Sequence, residues 1–307
     1  MCWPNAARAV MGCEMDAEIA VRSLKTREDV AKLVDLHQAV WPESATETIP
    51  IQTYLDISLN GGILLGAFEG ERLVGYVLGV LGIDEESPGT SAFTRLKHCS
   101  HTMGVDPDFR NRGVALRLKV EQRNQALRQG LRLITWTVDP LLGVNANLNL
   151  CHLGAVCHTY YRDYYGSLRD TLNRGIPSDR FRMDWWITSQ RVVERLGAFG
   201  LEPAKAPIPD ERPPVLNPAG PRRDGLLIPP RTWDQPGGSE VWVEIPHDFQ
   251  VVKRKDMDLA LEWRNHTRDI FERLFALGYH AAGFVREEVQ DPPRSYYRLS
   301  IVNQEAG

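Results

Sequence analysis

The sequence predicts an α/β fold, a mixed sheet with helices on both faces. Three observations predict it. Short apolar or alternating runs recur along the chain, segments of helical period lie between them, and up to Ile187 their order is β-α-α-β-β-β-α-β-α-β-β. Of the 307 residues, 43% are hydrophobic and 25% charged, ordinary values for a globular chain with a real core. The net charge of -4 leaves no basic excess to draw the chain onto nucleic acid or an anionic membrane. No apolar run approaches the length of a membrane span.

Glu18 to Leu24 alternates and predicts the first strand. Thr26 followed by Asp29 marks a helix start, and Val30, Leu33, Val34 and Leu36 keep helical spacing up to Trp41-Pro42. Ile51 to Leu59 predicts a short helix stopped by Asn60-Gly61-Gly62. Ile63–Phe68 and Leu73–Leu81 form a hairpin about Glu69-Gly70-Glu71. His98–Val105 predicts a strand and Val114–Gln129 a strong helix ended by Gly130. Leu131–Val138 predicts a buried strand and Asn145–Leu153 a short helix closed by Gly154. Ala155–Tyr165 and Arg180–Ile187 predict two more strands.

Past Gly197 the composition changes. Residues 198–238 are dense in proline and predict a linker or extended connection. Val241–Ile245, Asp256–Leu277, Tyr279–Arg286 and Ser295–Val302 then predict a C-terminal β-α-β-β unit over 239–307. Its order echoes the end of the first region, with Leu277-Gly278-Tyr279 standing where Leu153-Gly154-Ala155 stands. That echo suggests a partial duplication. Residues 1–17 predict a frayed leader without signal-peptide order, and Met11 or Met15 are candidate starts. The five cysteines include no CxxC pair, so a reducing cytoplasm is the expected setting. Cys151-His152 and Cys157-His158 match no zinc spacing, and no metal is expected.

Met103 to Gln129 is the segment that points to chemistry. A strand ends at Val105, a loop brings Arg110, Arg112 and Gly113, and a long helix starts at once. Amides opening a helix lack partners within it and sit at the positive end of its dipole, which suits a diphosphate. Gly113 lets an oxygen approach the main chain, Val114 and Ala115 open the helix, and the two arginines add charge. Alone, this loop reads equally as a simple strand-to-helix junction with solvated arginines.

The string Arg110-Asn-Arg-Gly-Val-Ala115, after a strand ending in Gly-Val, resembles the Q/R-x-x-G-x-G/A motif of the GNAT acyltransferases; the resemblance covers about residues 18–190, within a GNAT domain expected over 18–197. Gly61–Phe68, Ile134–Leu142, Tyr164-Tyr165-Gly166, Pro177–Phe181, Trp242–Pro246 and Trp263-Arg264 resemble a GNAT subgroup found beside N-succinylamino acid racemases. The resemblance implies a GNAT acyltransferase fold, and with it the echoed element order makes the C-terminal β-α-β-β extension a candidate partial second GNAT-like unit. It also implies N-acylation of an amino acid by succinyl-CoA or acetyl-CoA, with acyl-CoA as co-substrate. A protein or antibiotic N-acetyltransferase and a non-catalytic acyl-CoA-binding module are the alternatives. The expected partner is a small-molecule amine, without nucleic acid or membrane, and a homodimer is left open.

By the same resemblance, the main chains of Met103 and Val105 pair with pantetheine, the Arg112–Ala115 amides hold the pyrophosphate, and Asn145 reaches the arm or else caps its helix. Transfer needs a base for the amine, and His101, His98 and Asp139 are candidates. The family's usual tyrosine position holds Leu150, so the thiolate's proton donor is sought among Tyr160, Tyr161, Tyr164 and Tyr165, with Tyr161 and Tyr165 preferred. Carboxylates of donor or acceptor suit arginine, and Arg162 and Arg180 are the candidates. Surface ion pairs with Asp163 or Asp179 are the alternative for both.

Overall fold

The computed structural model of the chain describes residues 19–41, 49–85, 91–166, 174–197 and 212–301, and the expected element order is found through Trp186. The expected leader lies outside these residues. β1 (Ile19–Ser23) leads to α1 (Arg27–Val40) through a capping box. Thr26 Oγ1 accepts from the Asp29 amide at 3.1 Å, and the Asp29 carboxylate accepts from the Thr26 amide. Two bonds from Arg22 hold that carboxylate and drive it well below the usual range.

α2 (Ile51–Leu59), β2 (Ile63–Glu69), β3 (Arg72–Ile83), β4 (Leu96–Val105), α3 (Val114–Arg128) and β5 (Leu133–Val138) follow. α3 lies on one face of β1–β4, and α1 and α2 lie on the other. α4 (Gly143–Ala146) starts two residues before the expected helix and widens into a π-helical turn over Asn147–His152. β6 (Val156–Tyr161) and β7 (Arg180–Trp186) complete this half, and α5 (Gln190–Gly197), which the sequence reading missed, follows.

The proline-dense segment does not stand free where it is described, over 212–238. Leu216, Ala219, Leu226 and Leu227 are buried, and the two-residue strands β8 (Gly220–Pro221) and β9 (Leu227–Ile228) pair. Leu216 donates to the Trp242 carbonyl and Trp242 donates to the Pro214 carbonyl, each at 2.9 Å. Prolines that cannot continue a ladder thus cover the outer edge of β10 (Glu240–Ile245).

The C-terminal unit differs from the expected β-α-β-β by one short helix. α6 (Phe249–Lys255) precedes α7 (Met257–Ala276), and Asp256 both ends the first and caps the second. β11 (His280–Glu287) and β12 (Arg294–Ser300) close the chain's described part. These strands join the first sheet, giving one ten-stranded order β1-β2-β3-β4-β5-β7-β6-β11-β12-β10. The run β5-β7-β6 is mirrored in β10-β12-β11, and the halves meet in an antiparallel contact at Ala281↔Cys157. Gly154 and Gly278, at φ +73° and +87°, end the helix before the matching strands. The expected echo is therefore a topological repeat about a local two-fold. One core serves both halves, with the Phe181 ring 4.8 Å from Phe271 and 5.5 Å from Tyr297.

Candidate active site

β4 and β5 run parallel yet pair at two positions, His98↔Ile134 and Cys99↔Thr135. Beyond Cys99, β4 continues with β3 as far as Gly75↔Val105, while β5 continues with β7 as far as Val138↔Phe181. The sheet opens there as a wedge with its apex at Ser100 and Trp136. The Asp106 amide donates to the Val74 carbonyl at 2.9 Å, which sets the phase of the β3–β4 ladder. Alternate pairs exchange bonds, so Met103 and Val105 turn their N–H and C=O groups away from β3 and into the wedge. His101 is the extra residue of a bulge between Leu78↔Thr102 and Gly79↔Ser100, and it is exposed.

At the wide end stands the turn before α3. Asn111 and Gly113 both take left-handed conformations, at φ 62° and 75°, and curl the loop over the helix start. α3 has no side-chain cap and no acidic residue in its first turn, so its opening amides and dipole stay uncompensated. Among the described residues a Cβ at Gly113 would touch nothing within 4 Å, so the space beside it is open to them. Val114 is buried against Gly75, whose missing Cβ admits it. Arg110 is exposed. Arg112 pairs with Glu69 at 2.9 Å and lies over the Phe109 ring, so it braces the loop.

At the apex, four polar side chains are buried together. Lys119 Nζ of α3 donates to Ser100 Oγ at 2.9 Å and to Gln122 Oε1 at 3.1 Å, and lies 3.8 Å from the Trp136 ring centroid. Gln122 Nε2 donates to Ser100 Oγ and reaches His98 Nε2, both at 3.1 Å. Burial drives Lys119 down to about 7. Burial, with the Lys119 charge, drives His98 down to about 3, so His98 stays neutral. Sequence reasoning missed Lys119 and Gln122; two polar residues on the helix face that also carries Ala126 were the available signal.

Arginines and carboxylates converge where β5 ends. Asp139 accepts from the Leu141 amide at 2.8 Å and from fully buried Arg264 at 2.6 Å, and Arg180 Nη1 lies 3.8 Å away. Its oxygens are thus engaged in holding Arg264, an anchoring task rather than that of the expected base. The Arg264 guanidinium lies over Phe249, and its Nε and Nη1 have no acceptor among the described residues. Next to it, Asp179 accepts from Tyr160 Oη at 2.6 Å and twice from Arg268. Burial opposes ionisation of Asp179, but Arg268 and Tyr160 outweigh it and hold the carboxyl below its ordinary value. Burial and the Asp179 charge push the Tyr160 phenol up, so it remains a donor to Asp179.

The other expected residues separate. Tyr165 Oη lies 2.8 Å from Thr137 Oγ1 of β5, and the Arg180 guanidinium lies over its ring, which puts Tyr165 and Arg180 at the wedge mouth. Tyr161 stacks on Tyr164 with centroids 4.9 Å apart. Arg162 is exposed and forms a two-point ion pair with Glu272, neither of the partners weighed from sequence. Asn145 is the third residue of α4, whose cap is Leu142, so it does not cap the helix. Leu150 is buried. Arg264, Arg268 and Glu272 come from α7, far along the chain from the residues they hold.

No family model matches the chain, and no curated protein matches it. Among solved structures, a GNAT-family acetyltransferase from Streptococcus pneumoniae is similar at 18% identity and TM-score 0.43, over 54% of this chain and 98% of the other. Arabidopsis thaliana NAA60, solved with acetyl-CoA, is similar at 19% identity and TM-score 0.43, over 55% and 100%. An N-acetyltransferase from Staphylococcus aureus is similar at 15% identity and TM-score 0.42, over 54% and 97%.

Proposed function

We propose that this chain is an acyl-CoA-dependent N-acyltransferase that moves a succinyl or acetyl group onto the amino group of an amino acid. The observation that carries the reading is the wedge between β4 and β5, which leads from the uncapped start of α3 to a buried polar apex. In this reading the amides of 112–115 bind the pyrophosphate, with Arg110 beside it. The Met103 and Val105 main chains pair with the pantetheine amides, and Asn145 reaches the arm from α4. The acceptor nitrogen is deprotonated by His101 at the β4 bulge, and the oxyanion is held by a β4 amide. Arg180, at the wedge mouth, takes a substrate carboxylate beside Tyr165. Arg162, already paired on the surface, has no part in it.

The test is a thiol-release assay run as a grid of succinyl-CoA and acetyl-CoA against the common amino acids in both stereochemical forms, alongside calorimetric titration with CoA. The expected outcome is CoA binding and turnover that depends on a free amine. A chain that binds no CoA refutes the reading.

A further inference from the structure

Leu150 leaves the departing thiolate without the tyrosine that the sequence resemblance led one to expect, and the apex of the wedge offers another donor. We infer that the Ser100 hydroxyl, backed by the Lys119 ammonium, protonates the thiolate as it leaves. The inference rests on the acyltransferase reading and deepens it.

The first support is a hydrogen-bond inventory. A serine oxygen has two lone pairs and one proton to give. Lys119 Nζ and Gln122 Nε2 both donate to Ser100 Oγ and fill the lone pairs. The ammonium fixes the Gln122 amide with its oxygen toward Nζ, so the Nε2 group must face Ser100. Ser100, 8% exposed, therefore keeps a hydroxyl proton for which no acceptor is found among the described residues. Ser100 is also the first β4 residue past the last pairing to β5, so it sits at the wedge apex.

The second support is reach. From Val105 to Ser100, β4 spans four ladder steps, because His101 is bulged out, or about 14 Å at ~3.4 Å per residue. A pantetheine arm has about thirteen bonds between phosphorus and sulfur, which at roughly 1.2 Å advance per bond reaches about 16 Å. An arm entering at Gly113 and paired along β4 brings its sulfur to the apex.

The third support is the company of Lys119. The groups facing Nζ are His98 and Ser100 of β4, Gln122 of α3 and Trp136 of β5, and His98 is neutral. Among the described residues no carboxylate lies within ion-pair distance of Nζ. A buried ammonium without a counter-ion releases its proton near neutral pH, as a donor in turnover must.

The step balances. The neutral amine attacks the thioester carbonyl, the C–N bond forms and the C–S bond breaks with its electron pair going to sulfur. The Ser100 proton passes to sulfur as a Lys119 proton passes to Ser100 Oγ. The neutral lysine then regains a proton from water, and the proton lost by the amine leaves through the base, so the products are the amide and free CoA thiol.

The test compares the full-length chain with Ser100→Ala, Ser100→Cys and Lys119→Met under single-turnover conditions, with succinyl-CoA or acetyl-CoA and the best amine from the grid. Ser100→Ala should lower the rate tenfold to a hundredfold while CoA affinity stays within about twofold, and Ser100→Cys should restore part of the rate. The parent rate should fall on the alkaline side of neutrality, and Lys119→Met should abolish that fall. A Ser100→Ala rate within about twofold of the parent, or an unchanged alkaline limb in Lys119→Met, overturns the relay and leaves the acyltransferase reading standing. Absent CoA binding by the parent chain overturns that reading instead. Where a variant does not fold, the parent's pH profile decides: a rate that falls above neutrality supports the relay, and a rate that does not fall there overturns it.

Discussion

Replacing Lys119 with methionine keeps the length of the side chain and removes the ammonium charge at the wedge apex. In the unfolded chain the amine titrates near 10.5, and in the fold burial brings it to about 7. Between these values the unfolded state binds the extra proton, so stability rises with pH across that window. Put the other way, stability present above 10.5 is lost as pH falls toward 7. The full interval corresponds to roughly 5 kcal/mol at about 1.4 kcal/mol per unit, an order of magnitude for a wholly buried group. From pH 7 to pH 9 the parent should therefore gain about 2 kcal/mol on Lys119→Met. Urea unfolding of both proteins at pH 7, 8 and 9, followed by tryptophan fluorescence, isolates this group because all other titrations cancel in the difference. Parallel stability curves would mean that Lys119 is as hydrated in the fold as outside it, and the account of the apex would fail.

Four further outcomes follow from the geometry. Gly113→Val should lower CoA affinity tenfold or more in calorimetry, whereas the free protein loses only the left-handed backbone strain of about 1–2 kcal/mol; unchanged affinity removes the phosphate site. Asp139→Ala strands the buried Arg264 guanidinium and should destabilise the fold by about 3–5 kcal/mol in denaturant titration. Arg162→Ala should leave KM and Tm unchanged, since it breaks a solvent-exposed pair; a raised KM would return Arg162 to the site. His101→Gln should lower kcat at constant KM for the acyl donor in steady-state kinetics, and an unaltered kcat assigns the base elsewhere.

Much of the frame was legible because local rules and tertiary structure agree. Thr26 with Asp29 announces α1, and Gly130, Gly154 and Gly278 end their helices at positive φ. The turn at Gly113 was legible for the same reason: a glycine between a strand and a long helix has few other uses. α6 was not, since its seven residues are set off only by Asp248 and Asp256, and each of these also reads as a turn residue. For the proline-dense segment, composition left a linker and an extended connection both open, because it reports what a backbone cannot donate, not what it can lie against. Asp139 reads as a candidate base and Asp179 as a surface ion-pair partner because the arginines that hold them, Arg264 and Arg268, arrive from a helix more than eighty residues later. Lys119 drew no notice within the helix predicted over Val114–Gln129. Only the neighbouring strand, with Ser100 and His98 pointing at it, shows that its side of the helix is turned inward.

The antiparallel join at Ala281↔Cys157 bears on how this molecule meets copies of itself. A sheet ending at β6 would offer an open rim to any second chain able to add strands there. Here the chain supplies that addition itself, as a paired arrangement written into one polypeptide. Cut after Gly197, the first half would lose the cover on Cys157 and on the Phe181 ring and should associate through that rim, so the tail works as a built-in subunit.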